Sequence, residues 1–143
     1  MKTVFLLMIS FLMLAGCNSG KKLSSDSNAA KLRGTWQLNY ITGPRIAFEG
    51  LYPGPKPTIT FDVSGKRISG NTSCNSFSGV FEADGTKITF KEPLATTKMA
   101  CAGEGESIFM RSLEKINSYD VTAGYTLSLL TDGVASMRFT KVN

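Results

Sequence analysis

From Gly34 onward, apolar and polar residues alternate in short runs. Trp36, Leu38 and Tyr40 share one side of residues 34–42, and Ile59, Phe61 and Val63 share one side of residues 58–63. A period of two marks a strand with one buried face. The same pattern predicts strands over residues 78–83, 87–90, 96–99, 118–123, 125–130 and 135–142. Between the first two strands, Pro44 and the stretch Pro53-Gly54-Pro55-Lys56-Pro57 predict a long loop.

Phe61-Asp62-Val63-Ser64-Gly65-Lys66-Arg67-Ile68-Ser69 matches Phe81-Glu82-Ala83-Asp84-Gly85-Thr86-Lys87-Ile88-Thr89 in residue type at most positions. Each copy reads as strand, turn, strand, and Asp132-Gly133 repeats the turn. Asp-Gly favours hairpins because both residues tolerate positive φ. Convergence on the same turn chemistry explains the echo better than duplication of a hairpin.

One segment breaks the period. In residues 104–117, Phe109, Leu113 and Ile116 recur at helical spacing, with Ile108 beside them. Glu104 and Glu106 lie at the start of this segment and Arg111 and Lys115 towards its end, an order that suits the helix dipole. The expected fold is therefore α+β and mainly β. About eight strands, mostly antiparallel, are expected, with one amphipathic helix covering a sheet or plugging a barrel end.

Ahead of this domain the pattern changes. Lys2 precedes an apolar run, residues 4–14, broken only by Ser10; Ala15, Gly16 and Cys17 follow. The order resembles a lipoprotein signal peptide ending in a lipobox, and the run is too short to span a bilayer. Residues 1–16 then read as the signal peptide and Cys17 as the lipidation site. Each buried CH₂ of an attached acyl chain contributes about 0.8 kcal/mol to anchoring. Residues 17–30 read as the lipidated cysteine and a Ser-rich tether with an r.m.s. reach of about 20 Å. Residues 31–143 form the domain. Asn18 is not Asp, which by resemblance to Gram-negative sorting rules places the anchor in the outer membrane, facing the periplasm.

Composition removes several kinds of chemistry. The formal charge is +5, but the basic residues are scattered, with no stripe interleaved with aromatics, so nucleic acid is not an expected partner. There is no histidine, which removes the commonest general base and metal ligand together. No nucleophile elbow, Walker loop or dinucleotide fingerprint occurs. No cofactor, metal site or catalytic residue is expected. Beyond Cys17, Cys74 and Cys101 remain; in an oxidising compartment they suggest one disulfide, the alternative being two separate buried thiols.

Three segments together resemble the META/HslJ family. The stretch from Gly70 to Gly79 (Gly-Asn-Thr-Ser-Cys-Asn-Ser-Phe-Ser-Gly) is similar to its G-x-x-G-C-N-x-[FY]-x-G motif. Thr96-Thr97-Lys98-Met99-Ala100-Cys101 is similar to S-T-x-M-A-C, and Glu106, Phe109 and Leu113 fit E-x-x-F-x-x-x-L. Ser73 departs from the pattern, which often has Gly there. The resemblance implies a curved antiparallel sheet or cracked barrel with the helix packed on it, in proteins associated with stress and the cell envelope, without an established catalytic activity. It gives Asn75, Thr96, Thr97, Met99 and Glu106 as motif residues of unknown role.

The expected function is a non-catalytic, lipid-anchored envelope module that meets a protein partner, stress-related or engaged in envelope maintenance. Its membrane contact would run through the acyl chains on Cys17. The alternative is a pilotin-like barrel holding an apolar ligand or lipid, with Phe48, Phe61, Phe77, Phe81, Phe90 and Phe109 lining it. The commoner role for such aromatics is core. The pattern argues against an enzyme, and the oligomeric state is not legible.

Overall fold

The computed structural model describes residues 27–142. The residues read as a signal peptide, Cys17 and most of the expected tether lie outside them. The last four tether residues, 27–30, which the sequence pattern assigns to unstructured chain, form a helical turn, α1. Backbone N–H groups of Lys31, Leu32 and Arg33 bond back to it, and Leu32 is fully buried. Burial of that leucine gives the polar segment the anchor that its own composition lacks.

Eight antiparallel strands follow one another around a single sheet: β1 (Gly34–Ile41), β2 (Thr58–Asp62), β3 (Arg67–Asn71), β4 (Ser76–Asp84), β5 (Lys87–Thr96), β6 (Ser118–Thr122), β7 (Thr126–Thr131) and β8 (Val134–Val142). Each pairs with its neighbour in sequence. β1 also pairs with β8, from Thr35↔Val142 to Ile41↔Met137, so the sheet closes on itself. The seam between β5 and β6 is thin, with one register pair, Lys87↔Ser118. Backbone bonds from Ile88 to Asn117 and from Tyr119 to Thr86 reinforce it.

The long loop after β1 contains a short helix, α2 (Phe48–Leu51), which alternation did not predict. Leu51 and Tyr52 are buried behind it. Lys56 pairs with Glu49, donates to the Tyr52 carbonyl at 2.9 Å and sits over the Phe48 ring. The Pro-rich stretch is thus tied down at both ends of this short helix. The predicted helix forms as α3 (Gly105–Glu114), between β5 and β6. It packs on β5 and buries Phe109 and Leu113.

One predicted strand is absent. Residues 97–100 are irregular, and only Thr96 of that stretch belongs to β5. The backbone N–H of Thr97 still bonds to Ser76, but the N–H of Met99 bonds to the side chain of Asn75. A side-chain acceptor replaces the ladder, and the chain leaves the sheet.

The interior is apolar. Trp36, Phe61, Phe81, Phe109, Leu127, Met137 and Phe139 are each at most 2% exposed. Phe61 and Phe81 meet edge to face at 5.1 Å, and Phe77 and Phe109 join sheet to helix at 5.6 Å. The Trp36 indole N–H donates to the Leu32 carbonyl at 2.7 Å, so its buried polar atom is satisfied. Leu94 covers Gly79 so closely that a Cβ there would lie 2.3 Å from its Cδ2.

The hairpin echo resolves into two different turns. Asp62↔Arg67 flanks a four-residue connection, whereas Asp84↔Lys87 flanks two residues. Similar residues therefore serve unlike loops, in line with convergence. The third turn, Asp132-Gly133, has φ of 50° and 82°, the double positive φ of a two-residue hairpin.

Candidate functional site

The family-like segments converge at one end of the barrel. Thr58 pairs with Asn71 and Asn71 with Ser76, and Thr96 pairs with the adjoining Phe77, so the β3–β4 loop and the chain after β5 emerge side by side. The start of α3 comes down beside them. Asn75, 2% exposed, stands at the junction.

The β3–β4 loop is wound tightly around a buried threonine. The N–H and Oγ1 of Thr72 both donate to the Asn75 carbonyl, at 2.8 and 3.1 Å, and the Asn75 N–H donates to Thr72 Oγ1 at 3.0 Å. Ser73 crosses this loop at φ 80°, the left-handed region. Its N–H donates to Asn71 Oδ1 at 3.0 Å. The place where Gly is usual in the family motif is therefore a place where Gly would sit without strain.

The Asn75 amide joins all three segments. Its Oδ1 accepts from Thr97 Oγ1 at 2.7 Å and from the Met99 N–H at 2.8 Å. A backbone N–H can only donate, which fixes which end of the amide is oxygen. Its Nδ2 then faces the Met99 carbonyl at 3.1 Å and Glu106 Oε1 and Oε2 at 3.1 and 2.9 Å. Cys101 Sγ also lies 3.1 Å away. With Cys74 Sγ at 3.9 Å, five acceptors share two amide hydrogens.

Cys74 and Cys101 are joined in a disulfide, with Cα atoms 6.0 Å apart. It bridges the β3–β4 loop to the chain before α3. Both cysteines are half-buried. Glu106 Oε2 approaches Cys101 Sγ to 2.7 Å, and a disulfide sulfur carries no hydrogen to place between them. Glu106 lies in the first turn of α3, where the dipole favours a carboxylate.

Of the motif residues, Asn75, Thr97, Met99 and Glu106 meet here; Met99 takes part through its backbone while its side chain is 61% exposed. Thr96 ends β5 opposite Phe77, and no bond links its side chain to the cluster. Sequence reasoning did not find Tyr52, whose hydroxyl donates to the Gly105 carbonyl at 3.0 Å. Burial pushes its phenol well above the usual tyrosine range. A Cβ at Gly105 would lie 2.7 Å from the Leu51 carbonyl oxygen and 2.8 Å from the Tyr52 ring, so the helix start requires glycine. A tyrosine in a Pro-rich loop carries no sequence signal of this contact.

The six phenylalanines take the commoner role of core residues. Five are in the core and Phe48 packs against it. Two open surface depressions, of about 350 and 370 Å³, lie elsewhere; one is lined by Ile108, Arg111 and Lys115 and the other by Glu82, Asp84 and Lys87.

These features define a small closed β-barrel whose end is stitched by an asparagine and a disulfide. The chain matches the META domain over residues 30–143 and belongs to that family. No curated protein matches it in sequence. Among solved structures it is similar to a protein from Burkholderia xenovorans determined by NMR, with a TM-score of 0.62, 22% identity, and coverage of 82% of this chain and 88% of that one. It is also similar to a DUF4847 family protein from Bacteroides vulgatus, with a TM-score of 0.56, 16% identity, and coverage of 82% and 99%. At these identities the likeness concerns the fold alone.

Proposed function

We propose that this chain is a lipid-anchored, non-catalytic envelope module whose META domain engages a protein partner. The observation that carries this reading is how the motif residues are used. The polar groups of Asn75, Thr97 and Glu106 are engaged with backbone, with each other or with the disulfide, and none is presented with a base beside a pocket. Groups so engaged hold loops in place; an active site needs a reactive group turned towards substrate. The core adds to this, since the phenylalanines that could have lined a ligand cavity pack in it or against it.

Cys17 would hold the domain at a membrane, with the outer membrane facing the periplasm as the site the leader pattern favours. No described helix is long and apolar enough to cross a membrane. The partner-facing side remains the surface, where Met99 at 61% exposure sits beside the rigid cluster. A role in stress or envelope maintenance follows from the family resemblance.

Fractionation tests the anchor. Cys17→Ser should move the protein from the membrane fraction to the soluble one; a variant that stays on the membrane as fully as the wild type contradicts lipidation at Cys17. Photo-crosslinking from position 99 in intact cells tests the partner. One discrete adduct, lost when the probe is moved to Thr140 on the opposite part of the sheet, is expected. Repeated absence of any adduct counts against partner binding through this face.

A further inference from the structure

The cluster at the barrel end holds more electron-rich atoms than the disulfide needs. One sulfur from each of Cys74 and Cys101 and a carboxylate oxygen of Glu106 all lie within 4.8 Å of one another. The Met99 carbonyl is 3.4 Å from Cys101 Sγ. Among the described residues, the Asn75 amide donates to Glu106, to the Met99 carbonyl and to Cys101 Sγ. This is an acceptor-rich pocket whose two softest members are occupied with each other.

We propose that reduction of the Cys74–Cys101 disulfide opens a metal site here, which takes a thiophilic divalent cation, zinc, through two thiolates and the Glu106 carboxylate. Zinc favours sulfur, nitrogen and carboxylate ligands in a tetrahedral shell. With Zn–S bonds of about 2.3 Å, its ligand atoms stand about 3.7 Å apart. Sulfurs that no longer share a bond separate to nonbonded contact, which is close to that spacing. The Cα separation of 6.0 Å allows this by side-chain rotation alone. The Met99 carbonyl or a water completes the shell.

The surroundings suit a bound ion. The Asn75 N–H groups already point at Glu106 and at the Cys101 sulfur, the outer-shell donation that orients carboxylate and thiolate ligands. Asn75 is itself held by Thr97 and the Met99 N–H, so the donor direction does not depend on the disulfide.

The electrons come from a dithiol donor. Its first thiolate attacks one cysteine sulfur, forming a mixed disulfide and releasing the other cysteine as thiolate. Its second thiolate attacks the mixed disulfide and leaves as an internal disulfide, so two electrons pass to the pair. Zinc then binds both sulfurs as thiolates, and their protons go to water. In the oxidised protein the sulfurs are not thiolates and the site is closed. The proposal does not depend on the anchor or on the partner reading above.

The test uses the purified full-length chain, reduced with a phosphine and desalted without oxygen, with Co²⁺ and Zn²⁺ as probes. The reduced protein should bind one ion per chain, show a thiolate-to-cobalt charge-transfer band, and gain thermal stability with zinc. The oxidised protein should show none of these. Cys74→Ser and Cys101→Ser should each lose the band. Glu106→Gln should keep it but bind at least about tenfold more weakly. Three results would overturn the proposal: reduced wild type that retains no metal, Glu106→Gln that binds as tightly as wild type, or binding without a rise in melting temperature, which marks capture by an unfolded dithiol.

Discussion

Ser73 stands at φ 80° inside a loop fixed on both sides by the Thr72 and Asn75 bonds. An L-residue held in the left-handed region costs about 1–2 kcal/mol, a cost glycine avoids in the folded state and partly returns through its freer unfolded chain. Ser73→Gly should therefore raise stability by about 1 kcal/mol in urea unfolding; a loss would mean that the Ser73 side chain holds the turn. Asn75→Ala should act in the opposite sense. It removes the acceptor of the Met99 N–H and the donor to Glu106 at a buried position, at about 3 kcal/mol. A drop below 1 kcal/mol would show that water replaces the amide. The raised phenols of Tyr52 and Tyr119 set a pH limit, both through burial. Their ionisation lies above the unfolded value of about 10, so their contribution is intact below that pH and is lost as pH rises beyond it. Ultraviolet titration should show these two phenols ionising late or together with unfolding.

At the scale of elements, the disulfide joins the β3–β4 loop to the chain leading into α3 across a sequence separation of 27. Closing such a loop contributes about 3.6 kcal/mol on the chain-entropy account. Reduction should lower the unfolding free energy by about that amount and leave the barrel folded, as read by circular dichroism in the absence of metal. Its parity was legible in the sequence, but its pairing with the Asn75 knot was not, because the contacts cross 22 to 31 residues. The helix was legible because Phe109 and Leu113 repeat at its own period. The strand expected at 96–99 failed for a local reason: alternation is also what a chain shows when it hangs from a side chain instead of a neighbouring strand. The short helix before Tyr52 failed for another. Four residues between prolines hold no period to read.

For the whole molecule, closure depends on pairings of unequal strength. β1 and β8 share six register pairs while β5 and β6 share one. Opening should begin at that seam, since it has the fewest bonds between strands. Hydrogen exchange should find the amides of Ile88 and Tyr119, which bridge the seam, less protected than that of Thr42, which donates to Ser136 where β1 meets β8. Equal protection would mean that α3, packed on β5, stabilises the seam as well as a strand would.

The sequence alone determined the strand periods, the helical stripe, the hairpin turns and the family motifs, because each is local or repeats at a fixed spacing. It also carried the short contiguous stretch Leu14-Ala15-Gly16-Cys17, which resembles a lipobox. The tertiary structure decided what spacing cannot encode. Trp36 and Met137 share one core because β1 meets β8 across the whole length of the domain. Asn75 became the centre of the barrel end because one buried amide must satisfy donors and acceptors from three distant segments at once.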